Sequence, residues 1–232
     1  MAISGAEAVL FDVDGTLVDH EAAAEAAVCA GFPFVPDRDA LVRRWRELEA
    51  WAMDRYLAGA LTFAEQRRLR ISHLADEFGQ GAWSEDRVDT WFSEYLVQYE
   101  AAWRTYPDAM PTLTTLAAEH GELRLGVITN GDSAQQRRKL AKVGLADLLE
   151  SVTVSSEVGV AKPNPAIFQA ACDALRMPSA RIVYVGDRLR TDAEAAIAAG
   201  LQGIWLDRDE TGVATMATRI TRLTELPPLI RG

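Results

Sequence analysis

Cysteine is scarce in this chain: Cys29 and Cys172 are the only two in 232 residues, far apart and without zinc-like spacing. Sequence does not exclude a bond between them, but nothing resembles a disulfide framework. Histidine is scarce too, and His20, His73 and His120 show no ligand spacing. Basic charge is in deficit, with 24 Lys and Arg against 34 Asp and Glu, a net charge of −10. That balance argues against a nucleic acid polymer or an anionic membrane as the main partner. An anionic substrate would have to be drawn in by a local site. No apolar run approaches the ~18 residues of a membrane span, and the opening MAISGAEAVL lacks a secretory pattern. A reduced, cytoplasmic setting is the expectation, with no internal repeat or low-complexity tract.

What is present falls into two kinds of segment. Short apolar stretches, rich in β-branched residues, occupy 7–12, 123–130, 151–156, 181–187 and 202–207. Helical patterns separate the later ones: Ser133 to Val143 closed by Gly144, Pro165 to Leu175, and Leu189 to Ala199 closed by Gly200. Strands alternating with single helices predict an α/β fold, a Rossmann-like parallel sheet with helices on both faces. Residues 21 to about 105 carry no strand signal. Leu41, Trp45, Leu48, Ala52 and Tyr56 recur at helical spacing, Thr62 and Glu65 form a capping-box pattern, and Ser84 opens a third helix. The expected organisation is an α/β core over 1–19 and 106–232, with an inserted all-helical domain over 20–105.

The stretch VLFDVDGTLVD ends the first strand on two carboxylates, Asp12 and Asp14. At ~4 Å and an effective dielectric of ~20, such a pair repels by about 4 kcal/mol, so compensating positive charge is required. In a parallel sheet, every strand delivers its last residues to one edge, where ligands bind. Thr129 and Asn130 end the second strand, Ser155 and Ser156 the third, and Asp187 the fourth, with Asp192 five residues on. Four carboxylates, Asp12, Asp14, Asp187 and Asp192, are then expected to converge, an oxygen-rich set suited to Mg²⁺. Lys162 adds a second positive charge just before a helix start in KPNPAIF, well placed to hold a phosphate. Carboxylate nucleophile, Mg²⁺, lysine and threonine hydroxyl together describe phosphoryl transfer through an acyl phosphate.

The motifs DVDGTL at 12–17, TN at 129–130, KP at 162–163 and GDRLRTD at 186–192, in this order, resemble the haloacid dehalogenase superfamily, in the branch with a helical cap after the first strand. SSEVGVAKPNPAIF is most similar to the 5′-nucleotidase-type members. The resemblance implies Asp12 as nucleophile and metal ligand, and Asp14 as general acid and then base with its carbonyl on the metal. It implies Asp187 as a further ligand, and Thr129, Asn130 and Lys162 at the substrate phosphate. Asp192 either contacts the metal or pairs with Lys162. The function this implies is an Mg²⁺-dependent phosphatase acting on a small phosphorylated metabolite, as a monomer or homodimer. A 2-haloacid dehalogenase, a phosphomutase and a phospho-accepting signalling module are the alternatives. The helical block would be a mobile lid that selects the substrate, with His20 near its hinge.

Overall fold

The computed structural model describes residues 3, 5–119 and 122–230; His120 lies outside the described residues. From the amino end, β1 (Ala8–Phe11) leads through a loop to α1 (His20–Gly31), α2 (Arg38–Leu57), α3 (Phe63–Glu77) and α4 (Glu85–Ala101). There follow α5 (Ala109–Glu119), β2 (Arg124–Thr129), α6 (Ser133–Lys142), β3 (Ser151–Val154) and the single turn α7 (Ser155–Val158). The chain ends with α8 (Pro165–Leu175), β4 (Ile182–Gly186), α9 (Ala195–Ala198), β5 (Gln202–Leu206), β6 (Thr218–Ile220) and α10 (Leu226–Ile230). It divides into two compact units, Met1–Asp19 with Arg104–Gly232, and His20–Trp103. Arg104 and Thr105 sit with the first of these: the Asp19 N–H donates to the Arg104 carbonyl at 3.0 Å, and Thr105 bridges to Val18.

In the first unit a six-stranded sheet runs in the order β3-β2-β1-β4-β5-β6, with every neighbouring pair parallel. The fold is therefore α/β. Alternation along β1 divides the core. Val9 and Phe11 pack with Leu113, Leu116, Leu140 and Leu226 on one face, while Ala8 and Leu10 pack with Ile167, Phe168, Ala171 and Ala196 on the other. Strands buried on both faces read as continuous apolar runs, which is why AVLF is legible as β1. Truncating Phe11 in so filled a layer would cost about 3–5 kcal/mol.

The sequence offers five strands and the structure has a sixth. β6 is only Thr-Arg-Ile, too short to show a period, and it exists because Leu206 of β5 pairs with Ile220. A second difference lies at 189–199, expected as one α-helix. Leu189–Glu194 winds as a π-turn and only Ala195–Ala198 is α-helical. Within the wider turn, Asp192 is buried and its Oδ2 accepts from the Arg188 N–H at 3.0 Å. Such bulges commonly mark functional positions.

In the second unit α2 buries Leu41, Trp45, Leu48 and Ala52, with Tyr56 half-buried. The Thr62–Glu65 capping box opens α3 as its local chemistry dictates. Val88, Trp91, Phe92, Tyr95 and Tyr99 line the buried face of α4. The aromatic rings pack on one another: Trp45 meets Trp91 at 6.1 Å and Tyr95 at 5.1 Å between centroids, and Phe32 meets Trp91 at 5.3 Å. These are core contacts of a helical bundle.

Candidate active site

β1 is the strand flanked by β2 on one side and β4 on the other, and the chain's order reverses there. A crevice opens at such a switch point, beyond the carboxyl ends of the strands. Phe11 pairs with both Val127 and Val185, so the next residue, Asp12, emerges beside the ends of β2 and β4. Its N–H is still held by the Val185 carbonyl at 2.8 Å. The loop then turns on Gly15, whose φ of +92° disfavours any side chain, and a Cβ there would stand 2.4 Å from Asp187 Oδ2. Gly186 is equally confined: a Cβ would come within 2.4 Å of the Asp192 Cβ. Two glycines thus let two acids approach the backbone closely.

Among the described residues, Asp12, Asp187 and Asp192 each offer a carboxylate oxygen within 4.8 Å of the others. Lys162, 3% exposed, enters this cluster and not the surface: its Nζ donates to Asp12 Oδ1 at 2.6 Å, Asp192 Oδ1 at 2.8 Å and the Tyr184 hydroxyl at 2.8 Å. The pairing of Asp192 with Lys162, one of the two sequence alternatives, is therefore present. Asn130 holds the lysine in place through the backbone, accepting from the Lys162 N–H at 2.8 Å and donating to its carbonyl at 3.0 Å. That spends both ends of an amide expected at the substrate. Thr129 is buried at the end of β2, with its hydroxyl 3.4 Å from the Asn130 carbonyl. Thr16 donates to Asp187 Oδ1 at 3.3 Å and accepts from the Asp187 N–H at 3.1 Å. Ser155 and Ser156 brace the loop after β2, accepting from the N–H groups of Gly131 and Ser133 at 2.9 and 3.0 Å.

One ammonium among three acids leaves a charge deficit, and the titration of the cluster reflects it. Burial pushes Asp12 up to about 6, with Lys162 opposing and Asp192 adding to the rise. Burial likewise pushes Asp187 up to about 8, reinforced by Asp12 and Asp192. For Lys162, burial opposes the charge, but the attraction of Asp12 and Asp192 outweighs it and holds the ammonium above its usual range. Hard oxygen donors, two of them buried and Asp187 half-buried, with surplus negative charge fit a small divalent cation.

Asp14 does not join the three. The expectation of four converging carboxylates is met by three, because the Asp14 side chain turns to α6. Its Oδ1 accepts from Lys139 Nζ at 2.5 Å and its Oδ2 from Gln136 Nε2 at 2.8 Å. Sequence reasoning missed both partners, and also Tyr184. The signal available was helical spacing: Gln136 shares a face with buried Leu140 and Lys139 borders it, so the basic run QQRRKLAK is not wholly a solvated face. His20 engages Glu49 at 3.4 Å and the Tyr99 hydroxyl at 3.0 Å, all within the helical unit. His73 is exposed beside Trp51. Both cysteines are free thiols.

Residues 6–200 match the sequence profile of the haloacid dehalogenase-like hydrolases. The chain belongs to this family. Among relatives in the family, the pyrimidine 5′-nucleotidase YjjG of Escherichia coli is 33% identical over 157 residues, which is 62% of this chain and 69% of that one. The phosphoserine phosphatase of Thermus thermophilus is 30% identical over 201 residues, 84% of this chain and 77% of that one. The fold matches that of the HAD-hydrolase YfnB of Bacillus subtilis, solved with magnesium bound, at a TM-score of 0.85, 23% identity and coverage of 98% and 99%. The L-2-haloacid dehalogenase of Xanthobacter autotrophicus shares it at a TM-score of 0.75, 22% identity and coverage of 98% and 99%. This hydrolase fold thus serves both phosphoester and haloacid chemistry.

Proposed function

We propose that this hydrolase is an Mg²⁺-dependent phosphatase that cleaves a small phosphate monoester through an aspartyl phosphate on Asp12. The observation that carries the reading is the triad of Asp12, Asp187 and Asp192, in which buried Asp12 and Asp192 share the ammonium of Lys162 and half-buried Asp187 stands beside them. The carboxylates of the triad would hold Mg²⁺, with the Asp14 carbonyl as a further ligand. When bound, the ion supplies the positive charge that lets an anionic nucleophile approach an anionic phosphate.

The remaining steps belong to the chain's own residues. An Asp12 oxygen bonds to phosphorus as the ester P–O bond breaks, and the Asp14 carboxyl gives its proton to the leaving oxygen. Asp14 then takes a proton from the water that attacks the aspartyl phosphate, releasing inorganic phosphate and restoring Asp12. Lys162 steadies charge on Asp12 throughout. Tyr184, which accepts from Lys162 and lies 3.1 Å from the Ile128 carbonyl, fixes the direction of the ammonium. A departing halide needs no proton, so haloacid chemistry gives Asp14 no task as an acid; that favours the phosphoester reading. The core motifs read the phosphate and not the leaving alcohol, and substrate choice is assigned to the helical unit. Nucleoside monophosphates come first and sugar or short-acid phosphates second, in keeping with the nucleotidase and phosphatase relatives.

The test is phosphate release from a panel of monoesters with Mg²⁺ and with excess chelator. Activity should vanish in chelator and return with Mg²⁺, and Asp12→Asn should abolish it in a folded protein. Full activity in chelator, or halide release from 2-chloropropionate as the dominant reaction, would overturn the reading.

A further inference from the structure

Asp14 is the one acid of the opening motif whose carboxylate leaves the triad, and both of its oxygens are taken by one helix. Lys139 is 1% exposed and Gln136 3% exposed. They lie three residues apart on α6, hence on adjoining positions of one face. The ammonium holds Oδ1 and the amide holds Oδ2, so the carboxyl can neither swing about its bond to Cα nor spin about its own axis without losing a contact. Burying an ammonium costs several kcal/mol unless a partner repays it. Asp14 itself stays 24% exposed in its side chain, so water could have solvated it instead. Gln136 carries a second cost: its Oε1 is buried without a hydrogen-bond partner, an unfavourable arrangement that keeps the amide donor turned on Asp14. The helix is anchored where this matters, with Asp132 capping it through the Gln135 N–H at 2.9 Å.

We infer that Lys139 and Gln136 are positioning residues that fix the Asp14 carboxyl for proton transfer at the leaving oxygen and at the attacking water, an inference that rests on the phosphatase reading. The proton given up and recovered sits on an Asp14 lone pair that neither contact occupies, so one orientation serves both steps. Gln136 Nε2 also lies 3.4 Å from the Asn130 carbonyl, so only a loss that disappears once Asp14 is already changed counts as acting through Asp14.

The experiment is a double-mutant cycle on the Mg²⁺-loaded protein, using Lys139→Met, Asp14→Asn and the double variant. Rapid quench reads phosphoenzyme formation from an alkyl phosphate and from 4-nitrophenyl phosphate, and then phosphoenzyme hydrolysis. Lys139→Met should slow formation from the alkyl phosphate, and hydrolysis, by about tenfold or more. Formation from 4-nitrophenyl phosphate, whose leaving group needs no proton, should change little. The double variant should be no slower than Asp14→Asn. Equal losses on both esters, or losses that multiply in the double variant, would make Lys139 a structural residue only. If Lys139→Met does not fold, Gln136→Met carries the same comparison. Failure of the unaltered protein to turn over any phosphate ester overturns both readings, whereas turnover with multiplying losses overturns the positioning role alone.

Discussion

Asp187 shows how far the triad is built against its own stability. Burial and the neighbouring Asp12 and Asp192 push its carboxyl up to about 8. At pH 7 the unfolded chain ionises this group freely, while the folded chain must either hold a proton on it or bear the repulsion. Both cost free energy that an amide would not. In excess chelator, Asp187→Asn should therefore raise Tm by about 2 °C or more, while activity with Mg²⁺ is lost. Calorimetry of the two proteins checks this, and an unchanged or lowered Tm would show that the triad carries no such strain. The identity of these acids was legible from strand-end spacing, because a parallel sheet puts the ends of its strands along one edge. The direction of Asp14 was not. It depends on Lys139, 125 residues away along the chain; helical spacing marks Lys139 as bordering a buried face but does not say which residue it meets there.

At the scale of elements, local rules were readable and tertiary ones were not. The Thr62–Glu65 box and the glycine after α6 act within a few residues, so sequence reveals them. The π-turn at Leu189–Glu194 is set by what Asp192 reaches, and β6 by its pairing with β5; both escaped. The helical unit carries a comparable tertiary link. Glu49 of α2 is bonded to Arg70 of α3 and lies 3.4 Å from His20 of α1. Burial opposes its charge, but Arg70 and His20 outweigh that and hold the carboxyl well below the usual range. A carboxyl with a lowered folded pKa contributes stability above its unfolded value, near 4.5, and loses it as pH falls. Glu49→Gln should lower stability at pH 7 by about 3 kcal/mol, the low end for breaking a buried pair that keeps some exposure. Its acid unfolding should also be shallower below pH ~4.5 than that of the unaltered protein. Parallel denaturation curves at pH 7 and pH 3 measure both effects. The same loss at each pH would mean that the ion pair is not the source.

At the scale of the whole molecule, the net charge of −10 sets a field that opposes the function proposed. A phosphate monoester arrives as an anion and meets a protein of its own sign. The attraction comes from the site itself, from Lys162 and the cation the triad would hold, whereas the net surplus of acids belongs to the whole chain. Salt screens charges beyond a Debye length of ~10 Å at 0.1 M, so it weakens the distributed repulsion more than the contacts inside the site. Raising NaCl from 10 to 150 mM at fixed free Mg²⁺ should therefore leave kcat nearly constant and increase kcat/KM, by about twofold or more. This is opposite to the behaviour of an enzyme that steers its anionic substrate with a basic surface, whose kcat/KM falls with salt. The decisive comparison sets a dianionic ester against one carrying an additional carboxylate. The extra charge should steepen the rise if the global field governs encounter. A kcat/KM that fell with salt, and fell faster for the more charged ester, would place a positive field over the site strong enough to outweigh the surplus of acids.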